Sequence, residues 1–319
     1  MSGRILVLGA AGRLGYAAAA AFRDAGWSVR GLVRPKRAYA VPYGVEPIEA
    51  VTRDEAIAAA RGCEVVLNAL NPVIAKWQQN AMSLLYAAIA AAESNKATLL
   101  FAANVWNFGR NMPPLIDEDT PQHATTRKGR MRVEMELRIR EACERGMRAI
   151  ILRAGDFFGG GRGSWFDLVI VKELPRARLT YPGPLNVVHS WAYLPDFAAT
   201  LVRLAALRAQ LPAFETFGFP GQAVTGRELI AAIERVTGRK YNVRQMGWWF
   251  LKSFGRLMAI GRELAELEYL WRVPHRIDGT KLAAALGKVP HTPLDQAVAQ
   301  ALRELGYGVP HDAELAAQA

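Results

Sequence analysis

The stretch Arg4-Ile5-Leu6-Val7-Leu8-Gly9-Ala10-Ala11-Gly12-Arg13-Leu14-Gly15 decides the fold. Arg4–Leu8 is a short apolar run ending at glycine, and Leu14–Ala25 is an alanine-rich run of good helix formers that stops at Gly26. A buried strand therefore turns directly into a helix, with three glycines at the turn. Each has a physical use: Gly9 permits the tight turn, Gly12 lets backbone approach a pyrophosphate, and Gly15 lets helix and strand pack closely. A phosphate placed there meets free N–H groups and the positive end of the helix dipole. The spacing predicts a dinucleotide site built from Gly9, Ala11, Gly12, Arg13, Leu14 and Gly15.

Outward from this turn, strand-like and helix-like segments alternate. Ser28–Val33 reads as a strand followed by the basic turn Arg34–Arg37, Val45–Ile48 as a third strand, and Arg53–Ala60 as a short helix. Glu64–Leu70 and Thr98–Ala102 are strands separated by a helix over Lys76–Ala92, and Lys128–Arg145 is a helix leading to the strand Ala149–Arg153. The strands are continuously apolar rather than alternating, which argues for a parallel sheet covered on both faces. The fold class expected is α/β, a Rossmann doubly wound parallel sheet. After Arg153 the rhythm changes: Gly155–Gly163 is glycine-rich, Tyr193–Leu207 reads as a helix, and the tail from Gly221 is mostly helical. Residues 1–155 and 186–211 are expected to form the dinucleotide-binding domain, and residues 156–185 and 212–319 a smaller, mostly helical substrate-binding cap.

The end of the second strand should choose the dinucleotide. An acid there would bind the ribose 2′-hydroxyl of NAD, whereas an arginine accommodates a 2′-phosphate. The chain has Val33-Arg34-Pro35-Lys36-Arg37 and no acid. Arg34 can grip a phosphate bidentately and Arg13 lies close enough to help, so NADP is expected ahead of NAD.

Composition bounds the rest. The 319 residues are 51% hydrophobic and 22% charged, which excludes a disulfide miniprotein, a collagen-like repeat and a disordered chain. Cys63 and Cys143 form no disulfide framework, and the glycine-broken N-terminus is neither a signal peptide nor a span, so a cytoplasmic protein without an integral membrane segment is expected. The net charge is +11, but the basic residues are scattered, and between Arg127 and Arg153 they alternate with Glu134, Glu136, Glu141 and Glu144. No helix-turn-helix, zinc-finger or aromatic RNA-binding signature accompanies them, so the charge reads as a solvated surface, with no nucleic-acid partner expected.

The glycine spacing at the N-terminus resembles the short-chain dehydrogenase/reductase superfamily, especially its extended, epimerase-like members. Val65-Val66-Leu67-Asn68-Ala69-Leu70 resembles the fourth strand of that family, which implies that Asn68, Ala69 and Leu70 lie beside the cofactor ribose. Asn80 falls where the family has a helix asparagine, and Asp117-Glu118-Asp119-Thr120-Pro121 resembles the segment before its catalytic helix. Ile151–Gly159 and Tyr193–Ala198 resemble its later strand–loop and Asp-containing elements. The resemblance implies a small-molecule substrate and allows a homodimer formed through a helix bundle.

One departure is central. These enzymes carry a tyrosine and a lysine one helical turn apart, the lysine and cofactor ribose lowering the tyrosine pKa for proton exchange. No Tyr-x-x-x-Lys occurs in this chain, and no tyrosine lies between Tyr86 and Tyr181. Alignment through Glu136 and Gly146 puts Lys128 at the tyrosine position and Arg132 at the lysine position; alignment through Glu134 gives Thr126 and Arg130. The first is preferred, because Ile139, Ala142 and Gly146 then fall in place. Where the family carries its serine the chain has Ala102-Ala103-Asn104. Asn104 can still hydrogen-bond a substrate oxygen, Arg132 can hold a ribose or phosphate, and Lys128 can serve as proton donor if its pKa is lowered. Asp156, His189 and Tyr193 are further proton-transfer candidates, and Asp196 reads as a helix cap. The aromatic stretches around Trp165 and Tyr181 suggest either a bulky or apolar substrate or simply a cap core, and Trp248–Ile260 reads as a packed interdomain helix ahead of a membrane or partner contact. Two functions follow: a reductase or epimerase with a non-standard proton donor, or a non-catalytic NADP sensor resembling the NmrA-like regulators.

Overall fold

The structure, a computed structural model, describes residues 3–72, 77–249 and 259–309. The strands in chain order are β1 (Arg4–Leu8), β2 (Ser28–Val33), β3 (Glu46–Glu49), β4 (Val65–Asn68), β5 (Thr98–Asn104), β6 (Leu115–Ile116) and β7 (Arg148–Ala154). They continue with β8 (Asp156–Phe158), β9 (Arg178–Tyr181), β10 (Val188–Tyr193), β11 (Phe214–Gly218), β12 (Gln222–Thr225), β13 (Asn242–Gln245) and β14 (Arg276–Ile277). The α-helices are α1 (Arg13–Asp24), α2 (Arg53–Ala59), α3 (Trp77–Asn95), α4 (Arg127–Glu144) and α5 (Leu194–Leu207). After them come α6 (Gly226–Thr237), α7 (Ala259–Ala265), α8 (Thr280–Leu286) and α9 (Leu294–Glu304).

Seven strands form one parallel sheet in the order β11-β7-β5-β4-β1-β2-β3. The order reverses between β1 and β4, so the crevice outside the carboxyl ends of these strands is where a doubly wound sheet takes its ligand. The continuous apolar runs have the cause inferred for them, because each sheet face carries its own core. Ile5 and Val7 point into a cluster with Ala18, Phe22, Phe197 and Leu201 of α1 and α5. Leu6 and Leu8 point into the opposite cluster, with Ala56, Leu85, Ile89 and Ile139 of α2, α3 and α4. A polar residue at any of these positions would sit unsatisfied in a core, at a cost of several kcal/mol.

The remaining strands build the second unit. β8, β10 and β12 form a small sheet, and α6 and α9 pack over it with Phe158, Tyr181, Trp191 and Trp271. The expected domain boundaries shift in two places. Residues 214–218, assigned by the sequence to the cap, are instead the edge strand β11 of the main sheet, paired with β7 from Phe214↔Ala149 to Gly218↔Arg153. Residues 188–193, assigned to the dinucleotide domain, pair with β8 and β12. The reason is the period-2 alternation of β10: Trp191 and Tyr193 face the cap core, while Ala192 faces the main core. No helix among the described residues is long and apolar enough to cross a membrane.

Candidate active site

The glycine turn has the form its spacing requires. Gly9 lies at φ +84°, a left-handed value open to glycine, and its N–H and that of Ala10 donate to Leu32 O at 3.0 and 3.1 Å. A side chain on Gly15 would place its Cβ 2.2 Å from Gly9 O, so the helix can start this close only without one. Gly12 caps α1 with no side-chain bond, and no acid lies in the first turn. The N-terminus is therefore not capped by a side chain and has no acid in its own first turn, as anion binding needs. Arg13 extends from it half-buried, with a buried terminal nitrogen that has no partner. Burial lowers its pKa, against the opposing charges of Asp167, Asp156 and Glu304. These residues fit a dinucleotide pyrophosphate.

The structure brings Asn68, Ala69 and Leu70 to the same place. Ala69 O would lie 3.1 Å from a Cβ on Gly9, and Asn68 Oδ1 accepts the Leu70 N–H at 3.1 Å, folding the end of β4 into a tight turn. Arg34 is exposed just beyond β2, beside Lys36 and Arg37. Sequence reasoning missed an acid here: Glu49, at the end of β3, accepts the Lys36 N–H at 2.9 Å. Its only advance signal was that β3 must lie beside β2. Asn80 is exposed on α3, and its carbonyl accepts from Ser83 Oγ at 2.9 Å.

At the carboxyl end of β5, Asn104 Oδ1 accepts the Trp106 N–H at 3.0 Å and so caps the following 3-10 turn. Helix α4 docks on that turn at Gly129, where a Cβ would stand 2.4 Å from Trp106 O. The two cations of α4 then diverge. Lys128 is fully buried, and its ammonium donates to Glu263 Oε2, to Glu263 O at 3.1 Å and to Glu266 Oε2 at 3.3 Å. An ammonium has three hydrogens, and all three are committed. Arg132, one turn on, lies among the rings of Trp77, Phe101 and Trp106. The two glutamates arrive from sequence more than 130 residues away, and nothing in the local sequence announces them.

The same C-terminal segment reaches His189. His189 Nδ1 faces Leu270 O at 3.2 Å, its Nε2 faces Asp156 Oδ2 at 2.9 Å, and its ring stacks on Trp271 with centroids 4.2 Å apart. Both partners are acceptors, so the ring satisfies both only when it carries both protons. His189 is almost enclosed, while the Asp156 side chain is 23% exposed at the carboxyl end of β7. Beside them, burial and the His189 charge push the imidazole of His275 down to about 4. Burial raises the Tyr193 hydroxyl well above its ordinary range. Asp196 does not cap α5: its carboxylate instead accepts from Thr292 N at 2.7 Å and Thr292 Oγ1 at 2.8 Å. Trp248 is buried against Trp165, 6.0 Å between centroids, whereas residues 250–258 of the expected interdomain helix lie outside the described residues.

A glycine turn of the dinucleotide-binding form at the switch point of a doubly wound sheet, with a smaller second unit beside it, defines a Rossmann-type α/β protein. The profile of the NAD dependent epimerase/dehydratase family matches residues 5–217, and the chain belongs to that family. In structure it is similar to UDP-glucose 4-epimerase from Brucella ovis in complex with NAD, at TM-score 0.76 and 17% identity over 97% of this chain and 100% of that one. It is similar also to a putative epimerase from Burkholderia cenocepacia J2315, at TM-score 0.75 and 19% identity over 95% and 97% of the two chains. A third likeness is to MoeE5 in complex with UDP-glucose and NAD, at TM-score 0.74 and 17% identity over 95% and 98%. No curated protein matches the chain.

Proposed function

We propose that the crevice binds NADP and serves redox or epimerase-type chemistry on a small molecule, with a proton donor other than the tyrosine–lysine pair. The observation that carries this reading is the glycine turn with a helix N-terminus that no side chain caps, and the buried Arg13 nitrogen that has no partner among the described residues. Arg34 supports NADP, because an exposed guanidinium just past β2 can take a 2′-phosphate, while Glu49, the acid nearest that turn, is held by the Lys36 backbone. The nicotinamide, when bound, supplies the hydride donor or acceptor. The chain must supply the proton. Lys128 is fully buried with its three hydrogens committed, whereas the Asp156 side chain is partly exposed, so the Asp156–His189 pair is the better route: a proton carried on Asp156 Oδ2 faces the crevice, and His189, whose Nε2 lies 2.9 Å from that oxygen, replaces it.

The test is loss of 340 nm absorbance when NADPH and a panel of carbonyl compounds are added, with Asp156→Asn and His189→Asn compared. Turnover that falls about 100-fold or more in both variants supports the pair as donor. Turnover unchanged in both contradicts it. A second reading, a dinucleotide sensor without turnover, is favoured by one observation: the position of the customary acid is filled by a lysine with no free hydrogen. NADPH binding with no turnover across the panel would select it.

A further inference from the structure

Among the described residues, no carboxylate forms an ion pair or hydrogen bond with Arg132. Its guanidinium carbon stands 5.2 Å from the ring centre of Trp77, 5.7 Å from that of Trp106 and 5.8 Å from that of Phe101. Its Nε is closed off from solvent without a partner, and no described residue hydrogen-bonds to the group. Glu136, whose charge reaches it, is already bonded to Arg153, Asn107 and Gln122 at 2.8–2.9 Å. Burial holds the Arg132 pKa down to about 10, so the group is charged at neutral pH. Ring faces offset part of the lost hydration of a cation but accept none of the five hydrogen bonds a guanidinium offers in one plane.

The place of this group matters as much as its chemistry. Trp77 opens α3, the helix after β4; Phe101 lies in β5 and Trp106 in the turn after it. The cage is therefore at the carboxyl ends of β4 and β5, on the ligand side of the sheet. The dinucleotide phosphates belong to the glycine turn at β1, where Arg13 waits for them, so the charge of Arg132 is left for a different anion.

We propose that Arg132 binds the anionic end of the substrate, a planar carboxylate on an apolar or aromatic body. The flat fork matches two carboxylate oxygens, and the surrounding rings give the body an apolar wall. This deepens the proposed function and rests on reading the crevice as a dinucleotide-and-substrate site.

The experiment uses the full chain and two probes of the same shape, benzoate and benzamide, titrated calorimetrically with and without saturating NADPH. Benzoate is expected to bind about tenfold or more tightly than benzamide, and Arg132→Met to remove that advantage while NADPH affinity, read by nicotinamide fluorescence, stays within about twofold. Arg132→Lys keeps the charge but loses the fork, and is expected to weaken benzoate about fivefold, so the test survives if the methionine variant fails to fold. No benzoate binding, equal binding of the two probes, or benzoate affinity unchanged in both variants overturns the proposal. A tenfold loss of NADPH affinity in Arg132→Met, with no benzoate effect, also overturns it and assigns the guanidinium to the cofactor. Failure of the wild-type protein to bind NADPH, with Arg132-dependent benzoate binding intact, would instead sink the dinucleotide reading alone.

Discussion

Lys128 and Arg132 stand one turn apart on α4, and their surroundings are opposite. Lys128 is closed in and saturated, with three hydrogens on three oxygens of the C-terminal segment. Arg132 is half-buried and unsaturated, with rings where acids would stand. The difference separates two uses of a buried charge. A paired ion fixes one element on another, here α7 and Glu266 just after it on α4, whereas an unpaired one leaves bonding capacity for a ligand. Arg153, buried and paired with Glu136 at 2.8 Å, belongs with Lys128.

The sharpest way to break this comparison is to remove Lys128. Lys128→Met leaves Glu263 and Glu266 facing each other with little solvent, and is expected to cost about 3–5 kcal/mol in denaturant unfolding. The triple variant with Glu263→Leu and Glu266→Leu should recover much of that loss, and failure to do so would mean that Lys128 is more than a clasp.

A smaller effect comes from His275, faced by His189 and Asp156 and held neutral by burial. Its folded pKa, about 4, is below the ordinary 6.5, so below pH 6.5 the unfolded chain binds a proton that the folded one refuses. Its contribution is therefore present above pH 6.5 and declines as pH falls toward about 4, by about 3 kcal/mol in all. Unfolding curves of His275→Asn should lack that part of the pH dependence; an unaltered profile would show that the ring titrates normally.

Arg34 supplies an exposed cation for contrast with the two buried ones. Arg34→Ala should weaken NADPH about tenfold and leave NADH unchanged in fluorescence titration. The smallest effect expected is on stability in Arg132→Met. With ring contacts but no ion pair to lose, denaturant unfolding should shift by about 1 kcal/mol or less. A loss as large as that of Lys128→Met would make Arg132 part of the scaffold.

The nucleotide half was legible because its signals are local. Five residues of β1, three glycines and the start of α1 are contiguous, and the physics of the turn acts between neighbours. Asn68, Ala69 and Leu70 could be placed there through the resemblance of Val65–Leu70 to the family's fourth strand. The cap was less legible because its determinants are long-range. Phe214–Gly218, with Glu215 and Thr216 at its centre, carries no apolar run of its own, and only the open edge at β7 assigns it to the main sheet. The clasp on Lys128 was invisible for the same reason: a lysine on a helix is ordinary until two acids from the far end of the chain meet it. Asn104 was legible as a residue, but the cap its oxygen makes on the next turn was not.

Parallel titration of the wild-type protein with NADPH and NADH, followed by nicotinamide fluorescence, tests the central claim most directly. The account predicts saturable binding of both, with NADPH tighter by about tenfold or more through Arg34. Absence of binding by either would contradict the reading of Gly9, Gly12 and Gly15 as a dinucleotide cradle.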